Sequence, residues 1–345
     1  MDKITDYLER LFIEELNSEG EVNISGICFF RDEILSSLDP DAYKEVFENW
    51  KTERKQGNII RAKQILKFAD NSRRFNALKS VFKNHRVIPF IGAGLSMPSN
   101  FPSWKDFLYK TQEDSGADSS IFKRHMDKGE YEEAAQLLDN ADPVHLQEQL
   151  QNHFGVKPEL EEVQGIICRL PEFFQETIIT TNYDNLLKII YEGQEIHFHH
   201  ELFGIDAEEF KALFGTGNRI LLKLHGSFIS KNKRVLTQDD YRRHYSERNI
   251  LKTCVMESLF SQSLLFLGCS LDKDRTLQCM AEIVEERGND NLPKHYAFLS
   301  CENLSDEERT ARRKELQKSN IFPIWYDGDH DKNIEALLEL LNDGE

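Results

Sequence analysis

Hydrophobic positions in the first part of the chain recur at helical spacing. Ile4, Tyr7, Leu8, Leu11 and Phe12 share one face at i, i+3, i+4, i+7 and i+8. Residues 41–50 and 59–83 repeat that character on either side of Gly57-Asn58, which reads as a break. The pattern predicts a helical extension over about 1–84, whose apolar stripe must cover the rest of the chain, another copy or a partner. After residue 86 short apolar runs ending in glycine or polar residues alternate with helical stretches. The runs are Val87–Ile91, Thr177–Thr181, Ile220–Leu224, Leu264–Leu267, Tyr296–Leu299 and Ile321–Tyr326. They read as buried strands in βα order, predicting an α/β domain over 85–345 with a mostly parallel sheet and helices on both faces. The stretch 104–175 is too long for a loop. Its pattern (Tyr131, Ala134, Ala135, Leu137, Leu138) predicts a helical insertion. Ile334, Leu337, Leu338 and Leu341 predict an amphipathic closing helix.

Composition narrows the setting. The 345 residues carry 43 Lys+Arg against 60 Asp+Glu, a formal charge of −17, and allow two domains or one α/β domain with an extension. No run approaches the ~20 apolar residues of a membrane span. The start lacks a signal peptide's basic-then-apolar order. Six cysteines (Cys28, Cys168, Cys254, Cys269, Cys279, Cys301) form no C-x-x-C pair. A disulfide-stapled secreted domain and a Cys-rich zinc site are both disfavoured, and a cytoplasmic chain with reduced thiols is expected. Residues 1–50 hold 13 acids and 4 bases, whereas 51–86 hold 11 bases and 2 acids, so the two blocks cancel. The basic block reads as solvated helix faces, and nucleic acid is expected to be met only indirectly.

The chemistry sits at strand ends. The first strand runs into Gly92-Ala93-Gly94-Leu95-Ser96, a turn whose glycines permit close approach of a pyrophosphate to backbone amides at the start of the next helix. The full dinucleotide fingerprint needs glycine where Met97 stands, and the Gly-Lys-Ser/Thr of a P-loop is absent, so an ordinary dehydrogenase and a P-loop ATPase both lose ground. The second strand ends in Thr180-Thr181-Asn182-Tyr183-Asp184, the third in Leu224-His225-Gly226-Ser227 and the fourth in Gly268-Cys269-Ser270. In an open parallel sheet the carboxyl ends of the strands line one crevice, so these groups are expected to converge on one ligand.

In this order, FIGAGLS, TTNYD, LHGS and GCS resemble the sirtuin superfamily, over roughly 86–330. Phe101-Pro102-Ser103-Trp104 and Leu236-Thr237-Gln238-Asp239-Asp240-Tyr241 resemble its prokaryotic sirtuin-like branch of NAD-consuming defence effectors. The resemblance implies a Rossmann-like fold and NAD as substrate. It assigns Gly92, Ala93, Gly94 and Ser96 to the phosphates, Asn182 and Asp184 to the nicotinamide ribose and nicotinamide, and His225 to catalysis beside the ribose. Gly268 and Ser270 are assigned to the adenosine half, and Thr181 joins the NAD-binding set. Two departures count against acyl-lysine chemistry: the deacylases' paired C-x-x-C zinc module is missing, and Ser103-Trp104-Lys105 replaces their Asp-Phe-Arg.

Cleaving the N-glycosidic bond of NAD requires a held ribose, stabilised positive charge and a nucleophile, for which water suffices. His225 could accept the proton, Asn182 orient water or ribose, and Asp184 steady the charge or Asn182. The implied function is regulated hydrolysis of NAD to ADP-ribose and nicotinamide in antiviral defence. The alternatives are an NAD-dependent deacylase or ADP-ribosyltransferase, and a non-catalytic nucleotide-binding scaffold. No C-terminal sensor domain is expected, so gating is expected from homo-oligomer assembly or from a partner such as a HerA-type ATPase, through the N-terminal helices. Bland readings stand beside these: Trp104 as a core residue at a helix start, Cys269 as buried filler, and His197-Phe198-His199-His200 as a surface run, with no metal expected.

Overall fold

The structure, a computed structural model, describes residues 3–204, 207–243, 261–272, 275–289 and 292–343. Strands β1 (Val22–Ile24) and β2 (Ile27–Phe29) form a small antiparallel hairpin that the sequence pattern did not announce. The other seven are β3 (Val87–Ile91), β4 (Ile178–Thr180), β5 (His200–Phe203), β6 (Ile220–Lys223), β7 (Ser263–Leu267), β8 (His295–Ser300) and β9 (Ile321–Tyr326). They make one wholly parallel sheet in the order β5-β6-β4-β3-β7-β8-β9. Six match the expected runs to within a residue or so. The seventh, β5, begins inside the histidine run and was missed because His200-Glu201 gives it no apolar start.

After β3 the chain builds toward β4, β6 and β5 on one side and later toward β7, β8 and β9 on the other. The order therefore reverses between β3 and β7, the switch point where open α/β sheets bind ligands. Pro89 lies in this central strand and contributes no N–H. Gly92 N–H donates to β7 while the Ile91 carbonyl accepts from Thr181, so odd positions of β3 face β4. Pro89 faces the place where β4 has not yet begun, which accounts for β4 starting only at Ile178.

Apolar side chains fill both faces. Ile88, Phe90, Leu222, Phe266, Ile283 and Leu316 belong to one core. Ile91, Leu221 and Leu267 join the opposite core, with the helical insertion and the N-terminal helices. The insertion is four longer α-helices, Trp104–Glu113, Ser119–Asp127, Tyr131–Ala141 and Pro143–Phe154, followed by two 3₁₀ turns and the single-turn α-helix Leu170–Phe173.

Two expectations are corrected at the N-terminal side. Helix Pro40–Ile65 runs unbroken through Gly57, and the break falls after it, where Ala69 takes a positive φ of 47°. A helical glycine costs only about 1 kcal/mol relative to alanine, and buried Phe47, Asn58 and Ala62 anchor the helix on both sides of it. The closing helix His330–Asn342 is not merely amphipathic: every residue from Asn333 to Leu341 is buried, because Pro40–Ile65 packs along its outer side. Arg54 forks onto Glu335 at 3.0 and 2.7 Å, and Arg169 reaches Glu335 at 2.9 Å and Glu339 at 3.0 Å. The next helix, Asn71–Lys83, covers β9: Asn71 donates to the Trp325 carbonyl (2.7 Å) and accepts from its N–H (2.9 Å), and Arg74 donates to the Pro323 carbonyl.

Candidate active site

The strand ends open into a cavity of about 660 Å³, within the range of small-molecule sites. Its lining includes Gly92, Ala93, Gly94, Thr181, His225, Gly268 and Ser270, with Ser300 and Tyr326 from the ends of β8 and β9. Seven of the ten site residues read from the sequence thus share one space. His225 at β6 and Ser300 at β8 stand four strand spacings apart, about 19 Å at 4.7–4.9 Å per step. The glycine turn of β3 lies between them.

That turn is tied to the β7 end: Gly92 donates to the Leu267 carbonyl (2.9 Å) and Gly94 to the Gly268 carbonyl (2.9 Å). A Cβ on Gly92 would lie 2.5 Å from the Gly268 oxygen, and Gly268 itself holds φ +67°, so the two loops meet backbone to backbone. The helix expected immediately after the turn is not there. Two 3₁₀ turns, Ala93–Leu95 and Met97–Ser99, intervene before Trp104, since Pro98 and left-handed Asn100 (φ 65°) bar a continuous helix. Any phosphate held here meets a turn rather than an α-helix dipole.

Asn182, Asp184 and Ser96 are placed differently. They line a small gap of about 10 Å³, near the lower limit for one water, separated from the main cavity by Ala93 and Trp104, which line both. Asn182 Nδ2 donates to the Gly92 carbonyl (3.1 Å) and to Ser96 Oγ (3.0 Å), which fixes its amide orientation. Its buried Oδ1 is left without a hydrogen-bond partner among the described residues. Asp184 accepts from the Leu186 amide at 3.0 Å. Burial pushes its carboxyl above the usual range, against the pull of the Lys223 ammonium and of bonds from Leu186 and Ser96. Lys223, itself held low by burial, donates to the carbonyls of Tyr183 (2.9 Å) and Asp184 (2.8 Å), pinning the TTNYD loop from beneath. A lysine ending an otherwise apolar strand was the overlooked signal.

His225 Nε2 lies 3.1 Å from the Tyr241 hydroxyl, and the Trp104 ring stands 6.3 Å from the imidazole, edge-on. Trp104, at the start of its helix, is therefore a cavity wall as well as a residue packed against the core. Gly226 (φ +80°) turns the chain so that Val235 N–H reaches the His225 carbonyl at 2.8 Å. The loop returning to Tyr241 is anchored by fully buried Arg234, which bonds Asp139 at 2.6 Å and Asp240 at 3.4 Å. Two arginines lining the cavity, also unforeseen, carry their own carboxylates: Arg275 with Glu132 (3.0 Å) and Arg312 with Asp272.

The remaining candidates stay apart. His199 Nδ1 accepts from the Arg219 amide at 3.0 Å, and no group of three metal-competent side chains occurs among the described residues. Cys254 lies outside the described residues; no disulfide joins the other five cysteines. No helix among the described residues is long and apolar enough to cross a membrane.

Residues 176–324 match the family described as a SIR2-like domain. The chain is 26% identical over 254 residues to the NAD(+) hydrolase ThsA of Enterococcus faecium, covering 68% of this chain and 50% of that protein. It is 24% identical over 224 residues to the ThsA of Cytobacillus dafuensis, covering 64% and 42%. To the Defense-associated sirtuin 2 of Bacillus subtilis it is 25% identical over 269 residues, covering 75% and 26%. The chain thus spans half or less of the length of these relatives. Three of the four motif-bearing strand ends lie inside 176–324, the segment similar to a SIR2-like domain, and the fourth stands beside them at the switch point of a Rossmann-like parallel sheet.

Proposed function

We propose that this protein hydrolyses NAD to ADP-ribose and nicotinamide, as a regulated effector of prokaryotic antiviral defence. The observation carrying the chemistry is the cavity itself: an imidazole at one end, a glycine turn midway and polar strand ends beyond, spaced for a molecule with two nucleoside halves and a central diphosphate. The defence role is supported by the names of the relatives, NAD(+) hydrolase and Defense-associated sirtuin.

On this reading the nicotinamide ribose lies at the β6 end beside His225, the diphosphate crosses Ala93 and Gly94, and the adenosine half runs toward Gly268, Ser270 and the end of β8. Breaking the bond from ribose C1′ to the pyridine nitrogen releases neutral nicotinamide and leaves positive charge on the sugar. Water adds to C1′, and its proton passes to His225, which shares a hydrogen bond with Tyr241. Asn182 offers its unpartnered Oδ1 to that water or to a ribose hydroxyl, which requires Trp104 or the Ala93 turn to shift. Asp184 acts through Ser96 and Asn182 rather than on the sugar. Regulation is assigned to assembly or to a separate partner.

Purified full-length protein incubated with NAD, alone and with candidate partner proteins, tests the reading by chromatography of nicotinamide and ADP-ribose. Turnover that His225→Ala abolishes supports it. A wild type as inert as His225→Ala under every condition rejects it.

A further inference from the structure

At the β7–β8 end of the cavity, beyond Ser270, an acid and a base are locked together. Arg312, on the helix Asp306–Lys318, places Nη1 2.5 Å from Asp272 Oδ1 and donates Nη2 to the Ser270 carbonyl. Both side chains line the cavity. Asp272 is the more open of the two, its side chain 56% exposed against 26% for Arg312, so its carboxylate retains oxygen lone pairs for a further donor. The other cavity arginine, Arg275, lies over the Tyr241 ring toward β6 and is already bound to Glu132.

In Rossmann-type sites a carboxylate accepts the ribose 2′-hydroxyl of NAD, whereas an arginine near that position accommodates the 2′-phosphate of NADP. Here the arginine is committed to the carboxylate and a carbonyl, and the carboxylate is what faces the open space. We propose that Asp272 selects NAD over NADP: it accepts the adenosine ribose hydroxyl, repels a 2′-phosphate, and occupies the Arg312 guanidinium that would otherwise receive it. This inference rests on the NAD reading above and assigns the substrate class of that same site.

Calorimetric titration of NAD and NADP into the full-length chain, with His225→Ala included to prevent turnover, tests it. The expected result is NAD bound about tenfold or more tighter than NADP, since a carboxylate against a phosphate is a strong repulsion. Asp272→Asn should narrow that ratio by about tenfold by releasing Arg312, and Asp272→Asn with Arg312→Ala should lose the gained NADP affinity. Melting curves confirm that the variants fold, as expected for an exposed side chain. Equal affinity for both nucleotides in the parent, or an unchanged ratio in Asp272→Asn, overturns the inference and leaves the NAD reading standing. Binding of neither nucleotide overturns both.

Discussion

The Tyr241 hydroxyl and the His225 imidazole share a hydrogen bond of 3.1 Å although they sit on opposite arms of a loop that leaves β6 and returns to the cavity. The bond orients the ring that is proposed to take the proton. Tyr241→Phe should lower kcat about two- to tenfold with KM little changed, as loss of one neutral hydrogen bond does. His225→Ala should lower it about a hundredfold or more. Steady-state NAD turnover measures both. A larger loss in Tyr241→Phe than in His225→Ala would assign the proton transfer to the phenol instead.

The loop itself depends on Gly226. A Cβ there would stand 1.9 Å from the Lys233 carbonyl oxygen, at φ +80°. Gly226→Ala should therefore destabilise by about 2 kcal/mol or more and displace His225. Urea unfolding reads the first effect and NAD turnover the second.

Glu335 receives Arg54 and Arg169 together, with its side chain only 6% exposed. Glu335→Gln leaves Arg54 short of a countercharge, whereas Arg169 keeps Glu172 and Glu339, and should cost about 2 kcal/mol. A loss under 0.5 kcal/mol in urea unfolding would show that solvent compensates the pair. The same contacts predict that removing residues 1–83 uncovers the closing helix and yields a chain that does not fold cooperatively. Contact of these helices with a partner is better probed by substitutions at exposed Leu38, Val46 or Ile60.

Acid should weaken the fold through His295. This fully buried imidazole accepts the Leu264 N–H at 3.0 Å, and burial pushes its pKa down to about 3. The folded state favours the neutral ring, so stability is complete above the unfolded value near pH ~6.5 and falls as pH drops toward 3. Between pH 7.5 and 5.5 this site should remove about 1.4 kcal/mol. His295→Asn, starting from a lower stability, should show a flatter dependence of urea midpoint on pH; equal slopes would exclude the site as the source.

Much of the sheet was legible because buried parallel strands are short, continuous apolar runs, and Val87–Ile91 and Ile321–Tyr326 matched to the residue. Edge strand β5 was not, since an edge tolerates His and Glu. Of the site, the groups supplied by strand ends were legible from their order. Arg312 was not, and Tyr241 stood out only within the stretch Leu236–Tyr241 with no site role, because helix residues enter a cavity through tertiary packing that no local spacing encodes. Ser96 illustrates the limit from the other side. Its place in the glycine turn suggested a phosphate contact, yet its hydroxyl bridges Asn182 and Asp184 behind the cavity wall. The Gly57 break failed because burial of the flanking residues outweighs a weak local penalty.

The two bonds between Asn71 and Trp325 have a further consequence. A strand at the margin of a sheet is a template for any other extended chain, and β9 is apolar along most of its length. The carboxamide of Asn71 imitates a neighbouring peptide unit, while Pro323 has no N–H to present on that side, so the template is occupied. The occupying helix precedes the strand by some 254 residues and is synthesised before it. The safeguard against self-association is therefore waiting when the vulnerable edge emerges.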